Sequence, residues 1–195
     1  MRRKTFDAIL TAGGLVLAVV LLIAGGLLTW GHNFVSDQVK TQLSQQQVFF
    51  PPAGSEALKD PAIGPYINKY AGQQLTTGAQ AEAYANHFIA VHLKAIGGGQ
   101  TYAQLSAKAQ AAPDDQKLAG QVATMFKGET LRGLLLNAYA FGTMATIAGI
   151  AAIASFVGAG ILLLLALLGF LHLRRTPKDE ELHVPGWHPE AATTA

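Results

Sequence analysis

Six histidines, twelve carboxylates and no cysteine bound the chemistry open to this chain of 195 residues. His32, His87 and His92 lie in its polar middle, with Glu82 and Tyr84 just ahead of the second and third. Metal ligands carried on one helix favour spacings of three or four residues, which share a face. His87 and His92 are five apart, as are Glu82 and His87, so a helix turns each about 140° from the one before. Packed or surface imidazoles explain that spacing better than ligands do, and no metal ligand is assigned. A metal-dependent enzyme built around Tyr84, His87 and His92 is the third-ranked reading of function. Asp114-Asp115 follows Pro113, where a carboxylate pair serves the positive end of a helix. Gly97-Gly98-Gly99 lacks the Lys and Ser/Thr of a phosphate loop and reads as a helix stop. The chain has no Gly-x-Ser-x-Gly motif. Without cysteine there is no thiol nucleophile, disulfide or cysteine-held metal. No catalytic residue and no cofactor is assigned.

The elements that must carry these residues begin with two apolar runs. Ala8 to Trp30 is 23 residues without a charge, and the stretch between Arg132 and His172 is 39. A helix needs about 20 apolar residues to cross a bilayer, so both runs read as membrane spans. The second would be about 58 Å long as a helix, too long for one crossing of a core about 30 Å thick. Leu131 to Thr146, with Asn137, Tyr139, Thr143 and Thr146, reads as an extramembrane helix that continues unbroken into the span. Met1-Arg2-Arg3-Lys4 would suit a signal peptide, but the apolar run behind it exceeds the ~7–15 residues of a signal core. It reads as a retained anchor, although Gly13, Gly14, Ala24 and Gly25 would also suit a cleavage site.

Orientation follows from the basic residues near the span ends. Four of the five arginines, Arg2, Arg3, Arg174 and Arg175, stand at the two tips. Both termini are expected in the cytoplasm and the middle outside, with Trp30 at the outer interface. The expected division is 1–7 cytoplasmic, 8–30 first span, 31–146 extracytoplasmic domain with the span extensions, 147–171 second span, and 172–195 a disordered cytoplasmic tail. Residues 31–132 hold eight Lys/Arg and seven Asp/Glu, an ordinary mixed surface with nothing to attract nucleic acid. Neither span carries an ionisable residue, which speaks against transport by this chain alone.

Within the middle, Val35, Val39 and Leu43 form an apolar stripe among Gln38, Gln42 and Gln45, extending the first span until Phe49-Phe50-Pro51-Pro52 ends it. The two extensions should pair antiparallel. Pro51 to Pro65 reads as irregular, with a short helix around Tyr66 to Ala71. Thr77 with Gln80 and Thr101 with Gln104 are capping boxes. The first opens a helix with Ala81, Tyr84, Ala85, Phe88, His92 and Ala95 on one face, and the second a helix to about Ala111. A further helix from Pro113 to Gly128 presents Leu118, Val122, Met125 and Phe126. The expected core is Tyr84, Phe88, Leu118, Val122, Met125 and Phe126. The fold class is all-α: two spans extended beyond the membrane, with a small helical domain inserted between them.

Small residues let helices approach closely in lipid. Gly14, Ala18 and Gly25 share one side of the first span. Ala145, Ala148, Ala152, Ser155 and Ala159 follow three- and four-residue steps along the second. These eight are the helix-packing candidates, against each other or against a partner.

The stretch YAGQQLTTGAQAEAYANHFIAVHL (Tyr70 to Leu93), together with Phe49-Phe50-Pro51-Pro52 and TLRGLLLNAY (Thr130 to Tyr139), resembles a family of small actinobacterial membrane proteins. That resemblance implies two spans and an outside helical loop. Some members are labelled aromatic ring-opening dioxygenases. On non-haem iron that chemistry takes two histidines and a carboxylate; the candidates would be His87, His92 and Glu82, and their helical spacing does not suit it, so the label gains no support from the residues. The leading expectation is a non-catalytic accessory or assembly subunit, in contact with the bilayer and with a membrane-protein partner or a second copy. The alternative is an extracytoplasmic ligand sensor that relays through a partner.

Overall fold

The computed structural model describes residues 3–175 and 177. The described chain is all helical, and its one β contact is an isolated antiparallel bridge between Phe49 and Gln74. The helices are α1 (Arg3–Gln45), α2 (Glu56–Lys59), α3 (Gly64–Ile67), α4 (Gly78–Tyr84), α5 (Ala90–Ile96), α6 (Tyr102–Ala111) and α7 (Gln116–Arg175). A 3-10 turn, Asn68–Tyr70, follows α3, and a π-turn, Ala85–Ile89, joins α4 to α5. The described chain divides into two compact units, one of residues 3–28 with 150–175 and the other Thr29–Gly149.

In the first unit, α1 and α7 are each long and apolar enough to cross a membrane. They run antiparallel, with Thr11 against Gly169, Leu21 against Gly158, and Gly25 against Phe156. A Cβ on Gly25 would stand 2.9 Å from the Phe156 ring, so glycine sets the approach there. Ala18, Ala152 and Ala159 are buried, and Gly14 and Ser155 are half-buried. The bulky side chains point away: Ile153 is 66% exposed and Leu164 58%. Small side chains inside and large aliphatics outside invert the packing of a water-soluble helix pair. The helix includes His172 to Arg175, the first four residues of the expected tail. The stretch from 178 on, with His183 and His188, lies outside the described residues.

The second unit builds its core where the two long helices meet the short ones. Phe50 lies under Tyr70 and edge-on to Tyr84, with ring centroids 5.1 and 5.3 Å away. Leu43, Ile67, Leu75, Leu93, Leu105, Met125 and Leu135 are buried around them. Tyr84, Phe88, Leu118 and Val122 pack against this cluster from its edge. Phe126 is corrected: it is 56% exposed, resting near Tyr102 at 5.7 Å. Ala145 is buried and Ala148 half-buried on the inner side of α7.

Several element boundaries differ from those expected. The first helix stops at Gln45, four residues before Phe49, and Gln47 takes a φ of +52°. The Ser44 carbonyl in the last turn accepts both the Gln47 N–H at 3.2 Å and the Gln74 side-chain amide at 2.8 Å. Backbone bonds from Phe50 to Gln73 and from Leu75 to Val48 then tie the two segments together. The proline-rich stretch is not wholly irregular, since α2 and α3 form within it. The last helix begins at Gln116 rather than Pro113, because the Asp115 carboxylate accepts the Leu118 N–H at 3.0 Å. Gly128 does not end it. That glycine lies where a Cβ would overlap the Leu93 side chain, so it marks a close approach inside an unbroken helix.

The helix that starts at Thr77 also changes register. Both capping boxes form with reciprocal side-chain and backbone bonds. The π-turn widens the helix at Ala85–Ile89, however. In a regular helix, residues four apart overshoot one turn by about 40°. The π-turn absorbs that drift, and Ala81, Ala85, Ile89 and Leu93 all reach the core. His92 and Ala95, expected on the buried face, are exposed.

Candidate functional site

The chemically equipped side chains are distributed rather than convergent. His87 lies flat on Tyr66, with centroids 3.7 Å apart and planes inclined by 6°. His92 Nδ1–H donates to the Phe88 carbonyl at 2.7 Å, and its ring packs on Phe88. A carbonyl only accepts, so the proton is on Nδ1 in each such bond. His32 makes the same kind of bond to the Ala145 carbonyl at 2.7 Å. Glu82 turns elsewhere. Its carboxylate accepts from Asn86 at 2.8 Å, and the Asn86 carbonyl oxygen accepts from Arg132 at 3.2 Å. Arg132 also pairs with Glu129 on its own helix. This relay joins the π-turn segment to α7. Among the described residues, no three His, Asp or Glu side chains are grouped so as to hold a metal.

Tyr84 stands in the same segment. Burial against Phe50 and Phe88 raises its phenol above the ordinary value of 10.0, because the phenolate would lose solvation. The neutral ring serves the core. Beside it, Gln80 is the one buried polar side chain of the described core. Its Oε1 accepts the Thr76 and Thr77 N–H groups at 2.8 and 3.0 Å, and its amide donates to Gln73 at 3.2 Å. A buried amide satisfied on both sides fixes the entry to α4.

The feature with the shape of a binding site lies between the extensions of α1 and α7. It is a groove of about 360 Å³, within the ~300–1,000 Å³ usual for ligand sites. Val39, Leu43, Leu135 and Ala138 form its floor, Phe34, Leu134 and Phe141 its walls, and Gln38, Gln42, Gln46 and Asn137 its polar rim. No charged side chain lines it. Leu43 and Leu135 are almost fully buried, whereas all three wall residues are more than half exposed. A wider, more polar depression of about 540 Å³ includes Asp37, Lys40, Thr77 and Thr143. It has no comparable apolar floor.

The apolar stripe Val35, Val39 and Leu43 is half of the groove, visible in the sequence as a helix face without its partner. The other half, Leu134, Ala138 and Phe141, lies in a mostly apolar run where Asn137, Tyr139, Thr143 and Thr146 are too sparse to outline one narrow stripe. No family model, curated protein or solved structure matches this chain.

Proposed function

We propose that this chain is a non-catalytic integral membrane protein of a bacterial cell membrane, an accessory or assembly subunit. Both termini are cytoplasmic in this reading, and the Thr29–Gly149 unit is extracytoplasmic. The observation that supports it best is the composition of the two helix surfaces. Glycine, alanine and serine lie inward, while Ile9, Leu27, Ile153 and Leu164 lie outward and more than half exposed. In water so large an apolar surface would drive aggregation. In lipid it is the ordinary state of a span. The separate partners of His87, His92 and Glu82 favour a structural role for that region over a metal enzyme. The suggested kinship with actinobacterial two-span proteins fits the same reading.

Purification of the tagged full chain in mild detergent, followed by mass spectrometry of what accompanies it, tests the proposal. A stoichiometric membrane-protein partner, or a defined homo-oligomer, is expected. A metal-loaded monomer that loses its metal on His87→Ala would contradict it. A ligand sensor is the second reading, favoured by the groove: α1 and α7 each run unbroken from the groove into an apolar span, so a ligand there could bias both helices. Co-purification of a small molecule without a protein partner would favour that reading.

A further inference from the structure

The geometry points to the groove between the α1 and α7 extensions as a seat for the acyl chain of a membrane lipid, with the lipid's ester linkage held at the amide rim. The inference rests on the membrane reading above. Three observations carry it.

The first is continuity. Trp30 stacks on Phe34 at 5.6 Å, and Phe34 is the groove's lower wall on α1. On α7, Ile147, Met144 and Phe141 are exposed in succession, leading to the same end of the groove. Trp favours the membrane–water interface. The mouth of the groove is therefore one helical turn from the level where lipid tails end, and apolar surface leads into it without interruption.

The second is size. From Phe34 to Leu43 the groove runs about 14 Å along α1, at 1.5 Å per residue. The groove offers about 360 Å³, the low end of the ~300–1,000 Å³ of ligand sites and the size of one flexible chain. The third is polarity. The lining side chains are apolar or carboxamide. Gln38, Gln42, Gln46 and Asn137 can donate N–H groups to ester carbonyls, and no cation or carboxylate is present to select a charged ligand. An acyl chain with a neutral linkage matches this set. It would also cover Phe34, Leu134 and Phe141, which otherwise meet water.

The test uses the full chain in phosphatidylcholine vesicles in which a fraction of the lipid carries a photoactivatable diazirine in its acyl chain. After illumination, adducts are mapped by mass spectrometry. Adducts at Val39, Leu134 and Ala138 are expected, alongside adducts at the outward positions Ile153 and Leu164. Ala138→Leu fills the floor and should lower the groove adducts about tenfold, the effect of displacing roughly two methylenes, while Ile153 and Leu164 label as before. The pair Phe34→Gln and Phe141→Gln removes exposed walls without touching the core and should act in the same direction. Labelled spans with an unlabelled groove would overturn the lipid seat and leave the membrane reading standing. Unlabelled spans would overturn both. Efficient disulfide dimerisation of a Gln42→Cys variant, with the groove closed to lipid, would show that a second copy occupies it and would overturn the proposal.

Discussion

The contact between Gly128 and Leu93 sets how α5 docks on α7, and a double-mutant cycle measures it. A Cβ on Gly128 would overlap the Leu93 side chain, whereas nothing lies within 4 Å of a Cβ on Gly120 or Gly133. Glycine in a helix interior costs about 0.8–1.0 kcal/mol relative to alanine. Gly120→Ala and Gly133→Ala should therefore each stabilise by about that amount. Gly128→Ala gains the same propensity but must displace Leu93, and overpacking costs about 1–3 kcal/mol. Its net effect should be neutral or destabilising by up to about 2 kcal/mol. Leu93 is 5% exposed, so Leu93→Ala should cost about 2–5 kcal/mol. In the double variant the methyl introduced by Gly128→Ala enters the space that Leu93 vacates. The two changes should then couple favourably, by about 0.5–3 kcal/mol. Hydrogen exchange of the α5 amides in the detergent-solubilised full chain reads these differences as opening free energies. Stabilisation by Gly128→Ala equal to that of the Gly120 and Gly133 controls, or strict additivity with Leu93→Ala, would refute the contact.

Thr77→Ala removes the oxygen that accepts the Gln80 N–H at 3.2 Å and should destabilise by about 1 kcal/mol, read by faster exchange in α4. Thr101→Ala should cost no more, because its capping bonds are exposed. The raised Tyr84 phenol gives an alkaline dependence. The unfolded chain releases that proton near pH 10 and the folded chain only above it, so stability is complete below pH 10 and falls as pH rises through the folded value. Thermal unfolding as a function of pH should show this loss, and Tyr84→Phe should reduce it. Phe50→Ala should cost about 3–5 kcal/mol, because its ring is 2% exposed among Tyr70 and Tyr84. A shift in melting temperature no larger than that of a surface control would contradict its place in the core.

Local signals were the legible ones. Thr77 with Gln80 and Thr101 with Gln104 declare helix starts within four residues, and both boxes form. The unbroken passage from Leu131 into the second apolar run was legible because nothing in it favours a turn. Gly128 was ambiguous, since glycine stops a helix or admits a neighbour, and Leu93 decides which from 35 residues away. The π-turn is likewise a tertiary choice. Sequence spacing alone placed His92 inward, whereas packing brought Ile89 and Leu93 to the core. Phe126 looked like core because it continues the four-residue step of Leu118 and Val122, but each such step drifts by about 40°, and Met125 faces the cluster instead. Of the groove, the α1 side was periodic and readable. The α7 side was mostly apolar, with Asn137, Tyr139, Thr143 and Thr146 too sparse to outline one narrow stripe.

Membrane orientation is the claim on which the function and the lipid seat both depend, and cysteine labelling tests it most directly, since the native chain has no cysteine. Lys108→Cys and Thr193→Cys, expressed separately in intact cells, are exposed to a membrane-impermeant maleimide. Labelling of Lys108→Cys from outside, with Thr193→Cys reacting only after the cells are opened, is the predicted result. External labelling of Thr193→Cys with Lys108→Cys protected would reverse the topology and contradict the proposed extracytoplasmic unit.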